Sequence, residues 1–375
     1  SDETLDPQRD HWLLDHCPTW TLPALPMMTM VDRLVAAAEA LPNTTVSALR
    51  DVQVHRWLPF SGAAQRLRTE VSGTGSERNV TLLAWRESSN AALSRFEPVA
   101  SGTVVLGAAQ AQPAPFAALA DSVEEANPYT SGAIFHGPAF QYLTSLKIGA
   151  NGSTAILQAD QGSVPRGALH QGLLDAATHG LPHDELSRWS NRIPNDVVGY
   201  PYRIKQLNRY AALPDHGQLR IEARFAGFDG EDRFPMLDIQ MIQDDKVLLD
   251  FRLVEVLLPR GPIGTAPREL RRSFLRDRQH VPSIALSSFD GTTTLSDGYV
   301  PVFSSVASKL NETKFSAQFS TAQAASAETQ RANKAGVNLD EEAAMLIQYQ
   351  QAYQASAKYM GTVQSLFDTL MSAFR

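Results

Sequence analysis

Two separated stretches of the chain hold side chains that could move protons. Near the amino terminus, "DHCPTWTLPALP" places His16 at the end of the apolar run Trp12, Leu13 and Leu14, with Pro18, Pro23 and Pro26 following within ten residues. An imidazole titrates near neutral pH and can take or give a proton, although a buried neutral histidine is also a common core residue. In the middle of the chain, "LHQGLLDAATHG" sets Asp175 among Leu173, Leu174, Ala176 and Ala177, with His179 four residues on. A carboxyl on the apolar side of a helix is costly unless it is paired or used. Residues four apart share a helix face, so Asp175 and His179 can work together or simply pair. A third stretch, "FHGPAFQ", sets His136 before Gly137 and Pro138, a dipeptide that forces a turn at the head of a strand. There His136 can act in a site or bond a turn carbonyl. His55, His170, His183, His216 and His280 lack such context and read as structural or solvated. Cys17 adjoins His16, but neighbours on an extended segment face opposite ways, so a thiol–imidazole dyad is not expected.

The elements that must position these residues follow from periodicity. Residues 27–40 place Met27, Met30, Val31, Leu34, Val35 and Ala38 at helical spacing, with Asp32, Arg33 and Glu39 off that stripe, which predicts a helix with one buried face. Strand-like alternation follows at 52–60, 66–73, 79–87 and 102–107, separated by Gly, Ser and Asn clusters. Residues 108–128 are rich in Ala, Pro and acids and read as a connection. The pattern then repeats in kind: strands at 140–149 and 154–160, a helix at 169–181, and long strands at 202–213, 217–228, 235–243 and 246–258. Two units of one design are expected, each a helix lying against an antiparallel sheet. The division is 1–110, a linker at 111–133, and 134–258, followed by an exit linker at 259–300.

Residues 301–375 are rich in Ala, Gln and Ser and read as two helices. Leu339, Leu346, Tyr353, Met360, Phe367 and Phe374 recur every seven residues, with Tyr349, Val363 and Leu370 three positions later in their heptads. That is the seam of a coiled coil, and it needs a partner, either the helix at 303–333 or the tail of another chain.

Composition narrows the class. The 375 residues are 43% hydrophobic and 19% charged, the balance of a globular protein, and the net charge of -7 with no long run of like charge gives no footing for nucleic acid or an anionic membrane. A single cysteine excludes an internal disulfide framework and a thiolate zinc cluster, and no spacing typical of metal ligands is visible. No run of 18 apolar residues is present and the first ten residues are polar, so a cytoplasmic location is expected. The abrupt start, with a reactive-looking motif so close to it, suggests a piece of a longer polypeptide.

Read together, Asp15-His16, Phe135-His136-Gly137-Pro138-Ala139-Phe140-Gln141, and His170 with Leu173-Leu174-Asp175 and His179 resemble the dehydratase domains of polyketide synthases and polyunsaturated fatty-acid synthases. Residues 199–210, "GYPYRIKQLNRY", resemble the family segment in which a proline precedes a strand. The resemblance runs over about residues 10–300 and keeps the order of the motifs. It implies an α+β double hotdog, in agreement with the two units read from periodicity. It also implies a hydro-lyase that removes water from a 3-hydroxyacyl thioester, with His16 as base and Asp175, kept partly protonated by an apolar pocket, as acid. His179 would orient Asp175, and His136, Gly137, Pro138 and Gln141 would bind or orient the substrate. A backbone amide would stabilise the thioester oxygen. No cofactor or metal is implied; the substrate would ride on the phosphopantetheine arm of an acyl carrier protein, among neighbouring synthase domains, and a homodimer is compatible with this. The sequence departs from the family at two places. Trp20 stands where the family usually has glycine, and Pro26 comes one residue late. Trp20 can still offer its amide, but not a backbone conformation that only glycine adopts.

Residues 336–372 resemble the terminal helix of a flagellar hook-associated protein, and the tail reads as a fused assembly segment with no part in the chemistry. Two other functions fit the core: a hotdog double-bond isomerase or thioesterase, and a non-catalytic module that only positions partners.

Overall fold

The computed structural model describes residues 1–18, 23–60, 63–87, 93–259, 313–314 and 316–328, together with 331, 354, 358 and 360–365. Twelve strands make one antiparallel sheet: β1 (Asp2–Leu5), β2 (Val46–Val54), β3 (Gln65–Ser72), β4 (Glu77–Arg86), β5 (Arg95–Leu106), β6 (Val123–Glu124), β7 (Leu143–Ile148), β8 (Gly152–Gln158), β9 (Val197–Arg209), β10 (Gln218–Phe228), β11 (Pro235–Gln243) and β12 (Lys246–Pro259). Their order is β1-β3-β4-β5-β2-β9-β12-β11-β10-β8-β7-β6. The two halves meet where β2 pairs with β9, from Ala48 opposite Asn208 to Gln53 opposite Arg203. Strand pairing therefore continues from one unit into the other and leaves no open edge at the seam. β1 and β6 are strands that the sequence pattern did not predict: β1 is too short to show alternation and is fixed by pairing with β3.

Helix α1 (Met27–Glu39) forms where the stripe predicts it. Pro26 occupies its N-cap position, where a missing N–H costs nothing. Met28, Val31, Leu34, Val35 and Ala38 are buried, and the helix lies against β2 to β5. Asp32 departs from the expectation of a solvent-facing residue. It is fully buried; its Oδ1 accepts the Leu169 N–H at 2.7 Å and its Oδ2 lies 3.0 Å from Arg33 Nη1. The polar side of α1 is thus covered by the loop that leads to the second helix. Gly167, at φ +68°, lets that loop approach: a Cβ there would fall onto the Asp32 carboxylate.

A short helix, α2 (Pro128–Ser131), precedes the turn that carries His136. The helix expected at 169–181 is shorter in the structure: α3 spans only Gln171–Ala176. His170 sets its start by adopting a left-handed conformation, φ 59°, and its ring accepts the Leu173 N–H. Beyond Ala177 the chain continues in tight turns, with Thr178 N–H bonded to Asp175 O and His179 N–H to Ala176 O. Each half is a helix laid on antiparallel strands, which is the double-hotdog arrangement, although the second helix is half the length of the first.

By internal packing the chain divides into Ser1–Thr321 and Ala322–Arg375. A helical stretch runs over 316–328, and within the first unit Phe319, 1% exposed, packs its ring against Trp57 and Tyr202 at centroid distances of 6.2 and 6.1 Å. Phe319, from the stretch read as a tail, therefore packs within the first unit. The exit linker from 260 to 300 lies outside the described residues. So does the predicted heptad seam apart from Met360 and Val363, which are helical and exposed.

Candidate active site

The two stretches that could move protons converge on one pocket. His16 follows a 3-10 turn over His11–Asp15. Its backbone carbonyl accepts the Ala24 N–H at 2.9 Å, and its own Nδ1 lies 2.8 Å from the Ala24 carbonyl. Only a protonated Nδ1 can bond a carbonyl, so Nε2 is left as a free lone pair. Pro26, two residues beyond Ala24, then launches α1; it is a positioning residue outside the pocket lining. Trp20 lies outside the described residues.

Asp15 ties the first stretch to the second. Its carbonyl accepts the Gly137 N–H at 2.8 Å, and its Oδ2 accepts the Ala139 N–H at 2.8 Å. Glycine is needed at 137 for space, because a Cβ there would meet the Asp15 carboxylate. Pro138 opens a 3-10 turn over Pro138–Phe140, and Gln141 donates to the His136 carbonyl at 3.1 Å. Gly137, Pro138 and Gln141 therefore fix the His136 turn, and none of them lines the pocket. The expectation that they touch substrate becomes, in the structure, a role one step removed.

His136 itself does line it, stacked on Phe135 at 4.1 Å between centroids and 5.3 Å from the His16 ring. Its Nε2 lies 3.3 Å from Asp175 Oδ2. His179 Nε2 reaches the same oxygen at 3.1 Å. His179 is fully buried and does not line the pocket; its Nδ1 lies 2.8 Å from the Tyr129 hydroxyl. The consistent proton arrangement is Tyr129 O–H donating to His179 Nδ1 and His179 Nε2–H donating to Asp175. Tyr129 also accepts the Leu143 N–H at 3.2 Å. Nothing in the sequence near Tyr129 marks it, because its partner lies fifty residues away and enters through the fold.

Ligand-type atoms of His16, His136 and Asp175 all lie within 4.8 Å of one another. The rest of the lining is mostly apolar, including Leu25, Met27, Met30, Ile134 and Val198. Burial drives the three imidazoles of His16, His136 and His179 below their ordinary range, so all are neutral near pH 7. Burial would raise Asp175, but hydrogen bonds from His136 and His179 more than reverse it and hold the carboxyl far below the usual carboxylate range. This corrects the expectation of a partly protonated Asp175: the apolar walls are there, but two imidazole N–H groups face the carboxylate directly.

Of the histidines read as structural, His55 bonds Ser101 Oγ at 2.7 Å and His170 caps α3. His183 is more than that, since it lines the pocket. Its Nε2 donates to Thr178 O at 3.0 Å and its Nδ1 lies 2.7 Å from Oε1 of the fully buried Glu255. Burial lowers its pKa, but the Glu255 charge outweighs this and the net shift is upward. Gly199 makes room for Glu255, whose carboxylate sits where a Cβ would be.

Comparisons with known proteins bear on the fold. The dehydratase domain from the CurJ module of curacin polyketide synthase superimposes with a TM-score of 0.55 at 13% identity, over 69% of this chain and 92% of that one. The CurF dehydratase domain of the same synthase gives 0.55 at 14% identity, over 69% and 92%. A dehydratase domain of a trans-AT polyketide synthase from Brevibacillus brevis gives 0.54 at 16%, over 68% and 93%. No curated protein matches the chain in sequence. Residues 328–373 match the family described as flagellar basal body rod FlgEFG protein C-terminal, which agrees with the flagellar likeness of the tail. The chain thus carries the double-hotdog fold of polyketide-synthase dehydratase domains, followed by a flagellar-type segment.

Proposed function

We propose that the pocket removes water from a 3-hydroxyacyl thioester presented on the phosphopantetheine arm of an acyl carrier protein. The observation that carries this reading is that His16, whose Nδ1 is bonded to Ala24 so that Nε2 keeps its lone pair, and Asp175 line one mostly apolar pocket with a ligand-type atom of each within 4.8 Å of the other. His16 Nε2 takes the proton from the carbon next to the thioester carbonyl. The C–O bond at the third carbon breaks, the electron pair of the broken C–H bond forms the double bond, and the leaving hydroxyl takes a proton from Asp175 to depart as water. Asp175 is charged in the free protein. An acyl chain that covers the pocket strips the remaining water, and the resulting desolvation favours uptake of the proton the acid step needs. His179, backed by Tyr129, fixes the carboxyl; His136 bonds the same oxygen from the pocket side. No step requires a cofactor.

A partner that carries the substrate and neighbouring synthase domains follow from the same reading. Self-association through the tail is a separate expectation. The test is a 3-hydroxyacyl thioester of a small pantetheine surrogate, followed by mass spectrometry. Loss of water supports the lyase. A shifted double bond without loss of water, or release of the free acid, would identify an isomerase or a thioesterase instead, and no change at all would leave a non-catalytic module.

A further inference from the structure

We infer that His16, His136 and Asp175 form a zinc-binding site, so that the metal-free protein is the active form and zinc shuts it off. The sequence gives no hint of it, because the three residues come from three separate stretches. The structure gathers them as two imidazoles and one carboxylate, all buried, with ligand atoms within 4.8 Å of one another. Two imidazoles and a carboxylate are a donor set that zinc accepts with a fourth position open.

The distances fit. Two ligand atoms about 2.0–2.1 Å from a tetrahedral zinc stand about 3.3 Å apart, and His136 Nε2 and Asp175 Oδ2 are already 3.3 Å apart. His16 offers the third ligand atom from within 4.8 Å of the other two, and its ring must turn towards them on binding. The surroundings also fit. Metal-bound histidines commonly donate their second ring N–H to a carbonyl, and metal-bound carboxylates are themselves hydrogen-bonded. His16 Nδ1 already bonds the Ala24 carbonyl, and Asp175 already accepts from His179. At His136 the ion takes the Nε2 position now bonded to Asp175, and the ring proton passes to Nδ1, which is buried without a hydrogen-bond partner, a cost the ligand bond must exceed. The pocket side stays open for a water or a substrate oxygen as fourth ligand.

The binding claim stands on this geometry alone; the inhibitory consequence rests on the dehydratase reading, because the ion occupies the lone pair and the carboxylate that the reaction needs. The experiment uses the full chain, stripped with chelator, and titrates zinc chloride against a chromogenic zinc indicator, with magnesium chloride in parallel and dehydration measured on the same samples. One zinc per chain should bind and magnesium should not, since a site half nitrogen suits zinc and not a hard cation. Turnover should fall at least about tenfold at one equivalent of zinc and return with EDTA. His136→Gln and Asp175→Asn should each weaken zinc binding by at least about 100-fold, because loss of an outer partner alone costs about 10–100-fold; thermal melting checks that both variants are folded. A variant that does not fold is replaced in the comparison by His16→Gln, which removes the third ligand and should weaken zinc binding likewise. The proposal is overturned if no stoichiometric zinc binds, if folded variants at these positions bind it as tightly as wild type, or if zinc raises turnover. A metal-free chain that binds zinc as described but never dehydrates the thioester would sink the proposed reaction and leave the zinc site standing.

Discussion

The two halves of the sheet deliver their reactive groups in opposite ways. In the first half the long helix α1 does the packing and the chemistry sits outside it, on a loop before the helix, where His16 is held by one carbonyl and keeps one nitrogen free. In the second half the reactive group is in the helix: all six residues of α3 are buried, and Asp175 is gripped by two imidazoles, one of them backed by a tyrosine. A base needs a lone pair and freedom to meet a proton. An acid whose resting state is charged needs neighbours that tolerate the charge and return it to one geometry after each turnover. Under the proposed reaction, the difference between the halves is a difference in what each group must do.

The largest effects test whether both halves are needed. His16→Ala and Asp175→Asn should each lower dehydration by about a hundredfold or more, the scale for losing a positioned base or acid. Near-wild-type turnover in either variant, measured with the thioester surrogate, would break the comparison at that side.

The pH profile separates the roles next. His16 is held below its ordinary range, so its base form is already present at neutral pH and persists as pH rises. Asp175 is also held low, so the protonated form that the acid step needs becomes scarcer as pH rises. The free-enzyme quantity kcat/KM should accordingly fall from near neutral towards alkaline pH, by up to about tenfold per unit. A profile that stays flat or climbs over that range would assign the acid step to some other group.

Tail truncation comes third and probes the margin of the first unit. Truncation after Thr321 should leave turnover and melting unchanged. Truncation after Val300 also removes Phe319, buried against Trp57 and Tyr202, and should cost roughly 2 kcal/mol of stability, the scale for burying a large apolar side chain. Because Trp57 lines the pocket, its fluorescence should report the same loss. Equal melting of the two truncated chains would remove Phe319 from the core.

How much of this could be read in advance follows the same division. The stripe of α1 shows plainly because one face is apolar, and the long strands β9 to β12 show because they alternate or run apolar between turns. The pairing of His16 with Asp175 was legible only through the resemblance of their motifs. Helix α3 was over-extended because a segment buried all round has no polar face to mark where the helix stops, and the left-handed His170 that starts it leaves no trace in composition. Asp32 was misread since a carboxylate off the stripe is ordinarily solvated, whereas here a loop 137 residues away covers it. The charge state of Asp175 and the part played by Tyr129 depend on contacts between distant stretches, which spacing cannot show.

The smallest effect sharpens the comparison on the acid side. Tyr129 touches neither pocket nor substrate; burial raises its pKa, so it stays protonated at any working pH and serves as a fixed donor to His179 Nδ1. Tyr129→Phe keeps the ring and removes only that oxygen. His179 then loses the partner that selects its tautomer, and the proton can shift to Nδ1, which turns a lone pair towards the Asp175 carboxylate. The loss of one hydrogen bond of this kind is about 1 kcal/mol, roughly fivefold in rate. It should fall on kcat, with KM little changed, because the surrogate never meets Tyr129. The alkaline fall in kcat/KM should also shift to higher pH, since a carboxylate with one donor fewer holds its proton more tightly. An unchanged pH profile with lowered kcat would mean that Tyr129 supports only the packing around Leu143, whose N–H it accepts, and not the protonation of the acid.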